Sequence, residues 1–188
     1  MGVNFLKRSY LGIGIIVIIL FILYLGYNSM VNLEEQTNNA WSQVENQLQR
    51  RADLIPNLVN TVKGYASHEQ AAIKSVSDAR AKLAGNQSID NRIKNEEELS
   101  SALSRLLMIA ENYPNLKADA NFRQLQDELA GTENRIAVAR KDYNDVVKQY
   151  NSKIRRFPNN LFAGIFGFEK KPYFEAQPSA NKVPDVNF

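Results

Sequence analysis

The chain contains no cysteine and a single histidine. Without cysteine there can be no disulfide, no thiolate nucleophile and no cysteine-ligated metal. His68 is followed by Glu69, but the next ligand of a zinc-binding helix motif would fall at Ala72, which cannot bind a metal. The nine glycines are scattered and form no phosphate-binding loop. We therefore predict no catalytic residue, no cofactor and no metal site.

An excess of charge of one sign is also missing. The chain has 23 basic and 20 acidic residues, and two of the basic ones, Lys7 and Arg8, precede a hydrophobic segment. The remaining charges are nearly balanced, whereas a nucleic-acid interface needs basic residues clustered on one face. We expect no nucleic-acid partner.

Residues 9–33 carry no formal charge, and residues 11–25 are almost all isoleucine, leucine, valine and phenylalanine. A bilayer core of about 30 Å requires roughly 20 such residues in a helix. A secretory signal peptide has a hydrophobic region of only about 7–15 residues and ends at a small-residue cleavage site. The segment after Leu25 offers no convincing site of that kind. Residues 9–33 are therefore predicted to form a transmembrane helix that follows a short N-terminal segment, residues 1–8.

The charges on either side of this segment predict its orientation. Lys7 and Arg8 lie before it, whereas the first charges after it are Glu34 and Glu35. Basic residues are retained on the cytoplasmic side of a membrane. We expect a cytoplasmic N-terminus and an extracytoplasmic domain.

Residues 34–156 have the composition of long helices, with only two prolines, Pro56 and Pro114. Apolar residues recur at steps of three and four, most regularly in residues 122–150, where Val146 and Tyr150 complete the seam. This pattern predicts an all-α domain, an antiparallel bundle of three or four helices. The sequence leaves open whether Pro56 kinks one long first helix or divides it into two.

Arg51 occupies a position on the apolar stripe of the first helix. A charge at such a position must find a partner or reach solvent. In one interpretation its side chain extends to the edge of the bundle. In a second, it belongs to a paired polar layer that fixes helix register, with Glu111, Glu133 and Arg135 as the available charges. Ligand binding is a third interpretation.

Residues 157–188 contain four of the six prolines and many aromatic residues. This segment is too aromatic for a solvated disordered tail and too rich in proline for a long helix. We predict an irregular tail that packs on the bundle, on a neighbouring subunit or on the membrane surface. The candidate contact residues are aromatic. Five lie in this tail, Phe162, Phe166, Phe168, Tyr173 and Phe174, and the sixth is Trp41, shortly after the membrane segment. For Trp41, core packing is the first interpretation and an oligomer contact is the alternative.

Several runs of the chain resemble the LemA family of bacterial membrane proteins. The strongest is QLQRRADLIPNLV at residues 47–59, and others are ENYP at residues 111–114 and TENRIA at residues 132–137. The resemblance covers nearly the whole chain. It implies an N-terminal helix in the bacterial cell (inner) membrane, followed by a helical bundle, and it implies no enzyme activity.

The sequence thus predicts a non-catalytic, membrane-anchored protein of the cell envelope that acts as a scaffold or oligomerises. The alternative is an extracytoplasmic ligand-sensing or adaptor module that acts with a partner membrane protein. The expected partners are the lipid bilayer, further copies of the chain and other membrane proteins.

Overall fold

The computed structural model describes residues 3–85 and 87–175, with side chains from residue 12 onward. This part of the chain contains helices and no strand, which confirms the predicted all-α class for it. The helices are α1 (Val3–Tyr65), α2 (Gln70–Lys82), α3 (Ile89–Ala110), α4 (Pro114–Ala118) and α5 (Ala120–Arg155), followed by a 3-10 helix at Asn159–Leu161.

Helix α1 continues through Pro56 without a break. A proline inside a helix has no N–H to donate to the carbonyl four residues earlier, here that of Ala52. The Nε of Arg80, on α2, donates to that carbonyl at 2.9 Å. The orphaned acceptor is therefore satisfied from a neighbouring helix, and the question that the sequence left open is answered in favour of one helix.

The chain divides into two compact units. The first comprises Met1–Trp41 and Tyr143–Lys171, and the second comprises Ser42–Asp142 and Pro172–Phe188. Helices α1 and α5 each contribute to both units. The predicted boundary between residues 33 and 34 falls inside α1, and it stays a prediction about where lipid ends.

The second unit has a continuous apolar core. Its buried residues come from α1, α2, α3, α4 and α5: Ile55, Leu58, Val59, Val62, Ala66, Ile73, Val76, Ala79, Leu83, Leu99, Ala102, Leu103, Leu106, Ala110, Leu116, Phe122 and Leu129. The carboxylate of Asp119 accepts a hydrogen bond from the backbone N–H of Phe122 at 2.9 Å and so caps the first turn of α5. That bond is the main reason why the pKa of Asp119 is lowered.

The seam of α5 follows the predicted spacing except near its end. Thr132 is fully buried, and its hydroxyl donates to the carbonyl of Glu128 at 2.8 Å, so this polar residue fits an apolar seam. The prediction was wrong at Val146, which is only half-buried, whereas Val147 is fully buried. Steps of four and then three connect Tyr143, Val147 and Tyr150, and a helix accommodates this order as readily as the reverse.

The first unit has a smaller core between α1, the end of α5 and the segment that follows it. Buried there are Met30, Tyr150, Ile154, Phe162, Ala163 and Phe168. Burial raises the pKa of Tyr150 to about 12. The side chain of Asn151 accepts from the backbone N–H of Lys171 at 3.0 Å and donates to its carbonyl at 2.8 Å. The Lys171 ammonium also pairs with Glu34 at 3.0 Å.

Residues 157–171 of the predicted tail therefore pack on helices of their own chain. The segment is less irregular than predicted, because a cis peptide bond at Phe157-Pro158 is followed by the 3-10 helix and further turns. Residues 176–188 of the predicted tail lie outside the described residues.

Gly26 allows this segment to approach α1 closely. A Cβ atom at Gly26 would lie 2.7 Å from Oδ1 of Asn159 and 3.0 Å from the ring of Phe162. Asn159 is itself buried, and its Nδ2 donates to the carbonyl of Lys153 at 3.2 Å. Any side chain at Gly26 must displace an amide that is already hydrogen-bonded.

We predict that Gly26→Ala loosens the first unit by about 1–3 kcal/mol, the usual effect of overpacking a filled site. Limited proteolysis of the full-length protein in detergent would detect this as faster cleavage within residues 157–171. The matched control is Gly14→Ala in the same helix, where an added Cβ meets nothing within 4 Å. Equal cleavage rates in the two variants would contradict the close-packing account.

Candidate functional site

The side chain of Arg51 lies inside the second unit with only 2% of its surface exposed. Its Nη1 donates to Oε2 of Glu133 at 2.7 Å and to Oγ of Ser100 at 3.0 Å. Its Nη2 is paired with the carboxylate of Glu96. The guanidinium on α1 is therefore bound to residues of both α3 and α5.

The two carboxylates differ in their surroundings. Glu96 is fully buried, whereas the side chain of Glu133 is 51% exposed. Burial raises the pKa of Glu96, and the positive charge of Arg51 opposes that rise. The charge of Arg51 is thus balanced by one carboxylate in the interior and one at the surface.

Arg140 on α5 is a second cation near this cluster. Burial and the charge of Arg51 both lower its pKa, while Glu133 and Glu96 favour its charged form. Its guanidinium carbon lies 5.0 Å from the centre of the Phe174 ring, a cation–π contact. Arginine stays protonated at physiological pH in spite of such a shift.

The structure brings together two of the four charges that the sequence offered for a polar layer, Arg51 and Glu133. Glu111 instead pairs with Lys117. Arg135 is exposed on α5, with its guanidinium beside Gly131. Because Arg51 is buried rather than extended to solvent, its geometry favours the paired arrangement. Its role in fixing helix register stays a prediction.

Sequence reasoning missed Glu96, Ser100 and Arg140. A signal for Glu96 was present, because one helical step of three before Leu99 extends the apolar stripe of α3 back to this residue. Reading that stripe one turn further would have placed a buried acid opposite a buried base. Ser100 and Arg140 each lie three residues before a buried residue, Leu103 and Tyr143, but both are polar, so a search for apolar periodicity passes over them.

The six predicted contact aromatics divide into two groups. Four lie in contacts within the chain: Trp41 with Tyr143, Phe174 with Arg140, and Phe162 and Phe168 in the core of the first unit. The other two, Phe166 and Tyr173, remain exposed. Phe166 is half-exposed while its ring meets that of Tyr27 edge-on at 5.1 Å.

A cavity of about 510 Å³ adjoins the ion-pair cluster. Its walls are formed by Arg51, Ser100, Leu103, Ser104, Leu107, Gln126, Asp127, Leu129, Ala130 and Glu133. Among the described residues, no group of three or more histidine, cysteine or acidic residues is arranged to hold a metal ion. His68 is exposed. Two of the charged groups that line the cavity, Arg51 and Glu133, are paired with each other.

Comparison with known proteins identifies the class. The model of the LemA family matches residues 40–188, and the chain therefore belongs to the LemA family.

Its relatives include proteins named MamQ and a protein named LemA. Magnetosome protein MamQ 2 of Paramagnetospirillum magneticum is 27% identical over 197 residues, which cover 90% of this chain and 72% of the relative. Magnetosome protein MamQ of Magnetospirillum gryphiswaldense is 26% identical over 199 residues, with 91% and 73% covered. Protein LemA of Metamycoplasma hominis is 26% identical over 161 residues, with 84% and 73% covered.

We predict that Arg51→Ala destabilises the second unit by roughly 3–5 kcal/mol, because it leaves the buried carboxylate of Glu96 unpaired. Denaturant unfolding of the full-length protein in detergent, followed by circular dichroism, measures this loss. Arg50→Ala is the matched control, since Arg50 is exposed on the same helix and its truncation should change stability by no more than about 0.5 kcal/mol. Equal effects of the two substitutions would show that the Arg51 pairs stabilise nothing.

Proposed function

We propose that this chain is a membrane-anchored, non-catalytic scaffold of the bacterial cell envelope. It holds copies of itself, or other membrane proteins, at the bilayer. The observation that carries this proposal is that α1 has an exposed apolar stretch near its start and buried core residues further along.

The apolar stretch of α1 is exposed on all sides. Large side chains at nearly every position of residues 13–25 are exposed, among them Ile16, Ile18 and Leu20. A helix that is apolar all round belongs in a membrane or a protein core, and little covers this one within its own chain. Further along the same helix, Ile55 and Leu58 are fully buried in the second unit. One helix therefore supplies both the membrane anchor and part of the domain core.

The ion-pair cluster supports a non-catalytic role. A general base or nucleophile must reach a substrate, whereas Arg51 and Glu96 are buried and bound to each other. The relatives carry the names magnetosome protein MamQ and protein LemA, neither of which names an enzyme activity.

The inner membrane is the proposed location, with the N-terminus in the cytoplasm. Support comes from Lys7 and Arg8 before the apolar stretch and from Glu34 and Glu35 after it, the charge distribution of the positive-inside rule.

Ligand sensing is the second candidate function, and the cavity beside Arg51 favours it. Its volume of about 510 Å³ falls within the range of sites that take small molecules. A ligand there would contact apolar walls and the rim formed by Ser100 and Glu133. A sensor would act together with a partner membrane protein.

Crosslinking of the full-length protein in intact cells, together with size analysis of the detergent-purified protein, tests the scaffold. We expect discrete species larger than one chain in both measurements, because a scaffold must hold more than one protein. A chain that is monomeric in detergent and gives no crosslinked species in cells would contradict the proposal. If that monomer were stabilised against heat by a small-molecule fraction of the cell extract, ligand sensing would replace scaffolding as the proposed function.

A further inference from the structure

The segment at residues 157–168 lies against the end of the apolar stretch of α1. We call it the interfacial segment. The rings of Phe166 and Phe168 meet that of Tyr27 edge-on, with centroids 5.1 and 5.7 Å apart. Gly26, the preceding residue, has no side chain and so leaves room for Asn159 and Phe162 of the same segment. The segment is therefore attached to the anchor itself.

The position of this contact along α1 corresponds to a bilayer boundary. A helix rises about 1.5 Å per residue, so a membrane core of about 30 Å takes about 20 residues. A span that begins near Ser9, the first residue after the basic pair, ends within a few residues of Tyr27. Tyrosine is also a residue typical of the membrane interface. The interfacial segment thus meets α1 where the helix leaves the hydrocarbon.

The segment has two different faces. Phe162 and Ala163 point inward and are buried in the core of the first unit. Phe157, Leu161 and Ile165 point outward, at spacings of four residues, and are 79%, 64% and 80% exposed. An exposed apolar patch usually marks a contact surface.

Basic residues flank the outward face. Arg155 and Arg156 precede it and Lys170 follows it, and all three are exposed. Glu169 is the acidic residue in the same flank. Cations beside an apolar face suit the region where anionic lipid headgroups meet the hydrocarbon.

We propose that the lipid bilayer covers this face: the interfacial segment inserts Phe157, Leu161 and Ile165 into the membrane interface beside α1. The inference rests on the proposed anchoring by α1. The bilayer is the occupant because the face adjoins the anchor at the boundary where α1 leaves the hydrocarbon. The chain then holds the membrane at a second, non-spanning contact that lies far from the anchor in sequence.

The absence of cysteine makes a direct test possible. A nitroxide label at Ile165→Cys, in the full chain reconstituted into vesicles that contain anionic lipid, reports collisions with oxygen, which concentrates in lipid, and with a water-soluble nickel chelate. Two reference labels bracket the result. Ile18→Cys lies in the apolar stretch of α1, and Met108→Cys is an exposed apolar position on α3 of the second unit, 71% exposed.

We expect the oxygen-to-nickel collision ratio at position 165 to exceed that at position 108 several-fold and to lie below that at position 18. Oxygen becomes more concentrated toward the bilayer centre, and position 18 lies near the middle of the span whereas position 165 lies at the interface. If the ratio at position 165 equalled that at position 108 while the ratio at position 18 indicated lipid, the inference would be overturned and the anchoring by α1 would stand. Protection of 165 from both reagents would also overturn it, because a protein would then cover the face. An aqueous ratio at position 18 would refute the anchoring itself, and with it the proposed function.

Discussion

The ion pairs of Arg51 connect three helices of the second unit, α1, α3 and α5. A guanidinium in an apolar interior is strongly destabilising unless its charge and its donors are matched. Glu96 and Ser100 on α3 and Glu133 on α5 match the charge and the two Nη groups, whereas the buried Nε of Arg51 has no hydrogen-bond partner. A one-residue slip of either helix would rotate its partner group by about 100° and leave the charge unpaired. Apolar contacts alone tolerate such slips far better, because their attraction is not directional.

Much of the fold was predictable because its signals are local. The spacing of apolar residues depends only on helix geometry, and positions such as Leu48, Ile55 and Leu58 are buried as that spacing requires. The behaviour of Pro56 was not predictable, because its tolerance depends on Arg80, which the chain brings to Ala52 from another helix. Composition likewise showed that the aromatic segment must pack on something. The segment packs on α1, where Gly26, far away in sequence, leaves space for Asn159 and Phe162.

The candidate site was predictable to the same extent and for the same reason. The position of Arg51 on an apolar stripe can be read from the local sequence. A charge at such a position must be paired in the interior or reach solvent. The choice between Glu133 and Glu111 depends on tertiary packing. Glu133 lies on α5 and Glu111 directly follows α3, and only the packing of the helices brings the Glu133 carboxylate within 2.7 Å of the guanidinium.

A double-mutant cycle between Arg51 and Glu96 tests this account most directly. Arg51→Met leaves the buried carboxylate of Glu96 unpaired, and Glu96→Met leaves Arg51 with only Glu133 and Ser100 as partners. The double variant replaces the pair by apolar side chains of similar volume. The account predicts that the double variant is more stable than the sum of the single losses allows, by about 1–3 kcal/mol of coupling in the free energy of unfolding. Additive losses would show that Arg51 and Glu96 act independently, and the buried pair would then no longer explain how α1 and α3 are held together.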